Sequence, residues 1–312
     1  MSRLIKAIIS ILILGVGIYY FTRNWEKVSQ LQYLSLWQII YASSIIISTH
    51  AIAGLKLKRI FSSFNVKLSF KEWYGLPMVR KLGNLVFFKS GTVANAYYFN
   101  KKHLLPYAKF IVGFGAEKVI SLFVVVFLGL IISVVLFISN NANFLFVLLF
   151  IGLMICMSFL LFSSFKVPQI GFAIIQNIYK LFDIWNEFKK NKPSICWLII
   201  LEVSDLLAFA LRYYIAFNLL NRQVGFFSCI VIVVAIYFAE FINIVPGGLG
   251  IREISVGLTA TYLDHSFDYG VIAAALDRFI STICFVILGF IFFHLLHLKM
   301  KQNEDNVIYQ SL

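Results

Sequence analysis

Charge is what this sequence has least of. Charged residues make up 13% of the 312 and hydrophobic residues 61%, where a soluble domain carries roughly 25% charged residues. With a mean hydropathy of +0.88, the composition excludes a soluble globular protein and leaves no room for a soluble catalytic domain. The four cysteines, Cys156, Cys196, Cys229 and Cys284, all fall inside apolar runs, where cysteine behaves as a small buried hydrophobe. No disulfide framework and no zinc spacing is present. A phosphate-binding P-loop and a nucleophile–base arrangement are also missing, and nothing calls for a cofactor. His294 and His297 stand three apart without a third ligand, and His50 and His103 carry no specific message.

What is present is a series of long apolar runs. A membrane span needs about 20 apolar residues. The runs Ile5–Thr22, Trp37–Leu57, Val119–Ile138, Phe144–Phe162, Pro193–Leu220, Phe226–Val245 and Tyr269–Leu298 qualify. Trp73–Phe99 and Gly247–Leu263 are apolar but broken by glycine, proline and charge, and read as half-helices or re-entrant segments. The expectation is an all-α polytopic bundle of about 7–8 spans. Residues 1–300 form a single transmembrane domain, and a polar, unstructured tail covers 301–312. Arg3 and Lys6 open the chain without a small-residue cleavage site, so the first run reads as a retained span.

The excess of basic residues, +13 overall, points to membrane orientation rather than to nucleic acid. Lys56, Lys58, Arg59, Lys67, Lys71, Arg80, Lys81, Lys89, Lys101 and Lys102 lie between the second and third spans. Lys166, Lys180, Lys189, Lys190 and Lys192 lie between the fourth and fifth. Basic loops belong in the cytoplasm, which predicts a cytoplasmic N-terminus. A crossing by Gly247–Leu263, the preferred reading, brings Lys299 and Lys301 to the same side. Ile170–Phe188, with Lys180, Asp183 and Glu187 among apolar positions at helical spacing, predicts an amphipathic helix on the membrane surface.

Of the fourteen acidic residues, six fall within or beside the runs: Glu117, Glu202, Asp205, Glu240, Glu253 and Asp277. Facing lipid, each costs roughly 2.5–3.5 kcal/mol, so these side chains turn inward and find partners. Glu202, Asp205 and Arg212 lie within about 80° of one helix face. That face reads either as an ion-paired lock between helices or as a wall of a hydrated cavity. The pairs Glu117-Lys118 and Asp277-Arg278 are sequence neighbours, so their side chains diverge by about 100° and need other partners, which the reading places in the opposite half. Glu240 and Asn243 lie one turn apart before Pro246. They either hold the break in place or contact substrate.

The most unusual stretch is Pro246-Gly247-Gly248-Leu249-Gly250-Ile251-Arg252-Glu253. Irregular backbone in a membrane survives only where protein buries it or water reaches it. The glycines serve close helix packing, a gating hinge, or a helix N-terminus whose N–H groups and positive dipole end face an anion. In the third case Arg252 adds a permanent cation suited to phosphate or carboxylate.

The halves also echo one another. Asn84-Leu85-Val86 is followed by Gly91 seven residues after the Asn, and then by Glu117-Lys118. Asn243-Ile244-Val245 is followed by Gly250 at the same interval, and then by Asp277-Arg278. This is a candidate internal two-fold repeat, with halves at about 37–138 and 194–298, of the kind that places a transporter's substrate between matching broken helices.

Pro246-Gly247-Gly248-Leu249-Gly250 with Glu253 resembles the signature of the lysylphosphatidylglycerol synthase transmembrane, or flippase-like, family. Asn84…Gly91 and Glu117-Lys118 resemble its first-half motif and acidic-basic pair. Thr92 stands where the family usually has Glu after its Gly, and Lys118 stands in place of the more usual Arg. The similarity covers essentially the whole chain. It implies a bacterial-type plasma (inner) membrane protein similar to a lipid flippase. In larger members this domain moves aminoacylated phosphatidylglycerol made by a fused synthase domain. Stand-alone members are associated with glycolipid or surface-polysaccharide pathways.

The sequence ends soon after its last apolar run, so the expectation is a transporter-like protein rather than an aminoacyl-lipid synthase. Its ligand is expected to be an anionic phospholipid or a polyprenyl-linked glycan precursor. Enzymes of a membrane pathway are candidate partners. The expected binding residues are Asn84, Gly91, Glu117, Lys118, Glu202, Asp205, Arg212, Glu240, Asn243, Pro246, Gly247, Gly248, Gly250, Arg252, Glu253, Asp277 and Arg278. The competing reading is an intramembrane enzyme or accessory subunit in which Glu253, Glu240 or Asp277 acts as acid or base.

Overall fold

A computed structural model describes residues 35–86, 89–139, 144–163, 173–241 and 250–310. Every regular element among them is an α-helix. In chain order these are α1 (Leu36–Ser62), α2 (Phe70–Val86), α3 (Ser90–His103), α4 (Tyr107–Ile138) and α5 (Phe144–Phe162). They are followed by α6 (Ala173–Lys190), α7 (Lys192–Leu219), α8 (Phe226–Phe241), α9 (Ile251–Tyr262) and α10 (Phe267–Gln310).

Helices dominate because a spanning segment must satisfy its own backbone polar groups. Four are long and apolar enough to cross a membrane: α1, α4, α7 and the Phe267–Leu296 part of α10. Val147–Leu161 and Phe226–Glu240 are shorter apolar helices. Large side chains such as Leu145, Ile155, Phe159, Phe279 and Phe290 stand exposed, as expected of faces that meet lipid. The chain is a multi-pass integral membrane protein.

Some boundaries differ from the sequence reading. Ile5–Thr22 lies outside the described residues. Helix α4 begins at Tyr107, twelve residues before the apolar run that marked it, because hydropathy drops at Glu117-Lys118 while nothing there breaks a helix. Helix α10 runs to Gln310, so the expectation of an unstructured tail is not met. No proline or glycine stands between Gly289 and Gln310 to stop it. Helix α9 has 12 residues and rises about 18 Å. That is well short of a hydrocarbon layer about 30 Å thick, so the helix does not cross by itself and has the length of a half-helix.

The chain forms two compact units. The first holds the described residues of Met1–His50, Arg80–Gly91 and Asp205–Phe290, and the second holds Ala51–Val79, Thr92–Ser204 and Ile291–Leu312.

In the second unit α4 packs on α5 and α6, around a core that includes Phe61, Phe99, Phe110 and Phe188. Phe61 stacks on Phe99 with ring centroids 4.1 Å apart. The start of α2 is tied to the end of α3 through the buried Glu72 carboxylate. Its Oε1 accepts from Tyr98 Oη at 3.0 Å and Lys102 Nζ at 2.8 Å, and meets His103 Nε2 at 3.0 Å. Its Oε2 accepts from Ser69 N and Oγ. Burial alone would raise this carboxyl, but the bonds from His103, Lys102 and Ser69 prevail and hold it well below the usual carboxylate range. Asn95 Nδ2 adds a bond to the Leu76 carbonyl at 3.1 Å. The interrupted stretch Trp73–Phe99 is thus a helical hairpin clasped at its base. Helix α6 is amphipathic as expected, with Lys180, Asp183, Glu187 and Lys190 exposed and Phe188 buried.

In the first unit α8 packs on α9. The interior is built from Ile46 of α1, Tyr213 and Phe217 of α7, Ile232 and Ile236 of α8, Val256 of α9, and Ile272 and Ala274 of α10, all buried.

Candidate functional site

The charged cluster of the first unit centres on Asp277, which is 3% exposed. An apolar helix tolerates this carboxylate only with strong partners, and it has two. Arg212 of α7 donates Nε to Oδ1 and Nη2 to Oδ2, both at 2.8 Å. Arg252 of α9 donates Nη2 to Oδ2 and Nε to the Tyr213 hydroxyl at 2.8 Å. Phe209 lies under both guanidinium groups, with its ring centroid 5.0 Å from Arg212 Cζ and 4.8 Å from Arg252 Cζ. Both guanidinium groups are thus within cation–π range of one aromatic ring.

The neighbouring residue makes a second pair. Arg278 Nη1 lies 2.7 Å from Glu253 Oε1, while Glu253 Oε2 accepts the Gly250 N–H at 2.9 Å. Gly250 has φ 81°, a left-handed conformation natural to glycine, and from it the chain turns into α9. The carboxylate at the positive end of α9 is therefore the protein's own Glu253. Glu240 is exposed and close enough for its charge to act on Arg252 and Arg278. Three arginines from α7, α9 and α10 are thus gathered in one unit with two buried or half-buried carboxylates and one exposed one. Beside them runs a slot walled by Ile45, Ile46, Ile215 and Ile280, with Arg212 and Asp277 also lining it.

A family model described as lysylphosphatidylglycerol synthase TM region matches residues 4–289. The chain belongs to this family. No curated protein and no solved structure matches it.

Of the expected binding residues, the fold brings together Arg212, Gly250, Arg252, Glu253, Asp277 and Arg278. Asn243, Pro246, Gly247 and Gly248 lie outside the described residues. Asn84 and Gly91 meet at the other break, where the Gly91 N–H donates to Asn84 Oδ1 at 3.1 Å. The seven-residue Asn-to-Gly interval therefore has a physical cause in the first half, a side chain that caps the helix after the break. In the second half the equivalent Gly250 N–H is taken by Glu253. Ala94 stands at the matching position after Gly91, so the first break has no carboxylate to do the same.

The remaining residues do not join the cluster. Glu202 pairs with Lys56 Nζ at 2.8 Å in the second unit, and both are buried. Glu117 lines a narrow slot together with Lys56 and Glu202. Lys118 is exposed and sits over the Phe114 ring at 5.9 Å, and Asp205 is half-buried on α7. Of the two readings of the α7 face, the observed pairs are those of an ion-paired lock between helices, Glu202 with Lys56 of α1 and Arg212 with Asp277 of α10. One expectation is corrected: the partners of Asp277 come from its own half of the sequence, Arg212 of α7 and Arg252 of α9.

Three contributors escaped the sequence reading. Lys56 looked like a loop cation, although it sits inside α1 between apolar neighbours. Tyr213 and Phe209 were not singled out. The signal for both was their spacing on the Arg212 helix, one and three residues away.

Proposed function

We propose that this protein binds the anionic headgroup of a membrane lipid, a phospholipid or a polyprenyl-linked glycan precursor, and helps it move between leaflets of a bacterial-type inner membrane. The basic loops and the N-terminus face the cytoplasm in this reading. The observation that carries it is the gathering of Arg212, Arg252 and Arg278 around Asp277 and Glu253 inside a membrane unit. Guanidinium groups match phosphate oxygens in a two-point fork. Asp277 and Glu253 hold the forks while the site is empty, and an arriving phosphate exchanges with them.

Acid–base catalysis is the weaker reading, because Asp277 and Glu253 are both engaged by arginines. A new covalent product after incubation with candidate lipids would reverse that ranking.

The test is transbilayer movement of fluorescent phosphatidylglycerol in proteoliposomes, followed by reduction of the outer-leaflet label. Arg252→Lys keeps the charge and loses the fork, and should bring movement to the protein-free background while the variant still elutes as a folded species. Movement at the unmodified rate in both Arg252→Lys and Arg212→Lys would remove the cluster from the pathway.

A further inference from the structure

A second cluster of basic residues lies in the other unit, where α1 ends. Helix α1 has 27 residues and is about 40 Å long at the usual rise. It exceeds a hydrocarbon layer of about 30 Å, so one of its ends stands among headgroups. At its C-terminal end Lys58, Ser62, Asn65, Val66, Lys67 and Leu68 line a cleft. Lys58, Ser62, Asn65 and Lys67 are exposed, and Val66 and Leu68 form a buried apolar floor. No acidic residue lines the cleft. Among the described residues, neither Lys58 nor Lys67 has an ion-pair partner.

The ordinary role for cations at a helix C-terminus is to satisfy the last carbonyls and the negative dipole end. Here the carbonyls are already taken. Arg59 O accepts from the Ser62 and Ser63 hydroxyls. Ile60 O accepts from Ser63 N, Phe61 O from Phe64 N and Val66 N, and Ser62 O from Asn65 N. Asn65 turns the chain in the left-handed region, φ 62°, and completes this closure. The lysines are therefore not needed to finish the helix. Two full positive charges face a dipole end worth roughly half a negative charge, and the balance attracts an anion.

We propose that this cleft is a second anion site that holds a phosphate group at the membrane edge. The two ammonium groups act as point charges on the phosphate, the Asn65 amide supplies a directional donor, and the apolar floor meets the first carbons of whatever carries the phosphate. The same chemistry serves a lipid phosphodiester or a free phosphate. The proposal concerns residues remote in sequence from the arginine cluster and does not depend on that cluster binding lipid.

The test is native mass spectrometry of the full chain in mild detergent, titrated with phosphatidylglycerol and separately with inorganic phosphate. The variants are Lys58→Gln/Lys67→Gln, Lys58→Arg/Lys67→Arg, and a control, Lys180→Gln/Lys190→Gln, on the surface helix α6. A membrane-edge lysine contributes on the order of a factor of five toward an anionic headgroup. The Gln pair should therefore bind one phosphatidylglycerol fewer, or bind it at least tenfold more weakly. The Arg pair and the control should bind as the unmodified chain does. Displacement of that lipid by millimolar inorganic phosphate identifies a free-phosphate site, and resistance to it identifies a lipid site; either supports the assignment. Unchanged binding of both probes in the Gln pair overturns it. An equal loss in the α6 control also overturns it, because general surface charge would then be the cause.

Discussion

Arg212 grips Asp277 at two points, Nε on Oδ1 and Nη2 on Oδ2, each at 2.8 Å. Arg252 reaches the same Oδ2 from another helix. One carboxylate therefore ties α7, α9 and α10 together, and two permanent cations depend on it.

Asp277→Asn should be costly. The amide keeps the shape but leaves two largely buried guanidinium groups without their counter-charge, and breaking such a pair costs about 3–5 kcal/mol. Thermal unfolding in mild detergent should show a clear fall in midpoint. A midpoint equal to that of the unmodified protein would mean that the arginines are satisfied without Asp277.

Lys56 and Glu202 should behave as a coupled pair. Both are buried, so Lys56→Met alone or Glu202→Met alone strands a charge and costs about 3–5 kcal/mol, whereas apolar replacement of both is often close to neutral. The double variant should be more stable than either single variant. Additive losses across this cycle would show that the two residues contribute independently.

Gly91→Ala should disrupt the break between α2 and α3. A Cβ there would lie 2.1 Å from the Arg80 carbonyl oxygen, and the Gly91 Cα is already 2.6 Å from where a Cβ on Gly83 would stand. Backbone has to move, at a cost of about 1–3 kcal/mol or more. Gly115→Ala is the matched control, because a Cβ there meets nothing within 4 Å. That change should be neutral or stabilise α4 by about 0.5–1 kcal/mol. Equal effects at the two glycines, read by thermal unfolding, would mean that the close approach at Gly91 is not tight.

The broken helices were legible because glycine and proline are visible in any apolar run, and because charges within spans have to find partners. Glu253 stood out for the same reason. Its actual role, capping Gly250 and pairing with Arg278, was not legible. A carboxylate three residues after a helix start suits a cap, an ion pair or a ligand contact equally well. Lys56 was misread because its distance from a run's end says nothing about which side chain will meet it. Glu202, 146 residues further along, is brought to it only by the tertiary fold.

By itself the sequence determined that this is an all-α membrane protein of the lysylphosphatidylglycerol synthase transmembrane family. It also determined that its helices break near Gly91 and Gly250, and that its buried acids need partners. Hydropathy, backbone flexibility and the cost of charge in hydrocarbon are local properties, readable residue by residue. Tertiary structure decided which partners those were. Arg212, Arg252 and Arg278 gather at Asp277 and Glu253, while Glu202 turns to Lys56, because an ion pair depends on distances of a few ångströms between helices far apart in the chain.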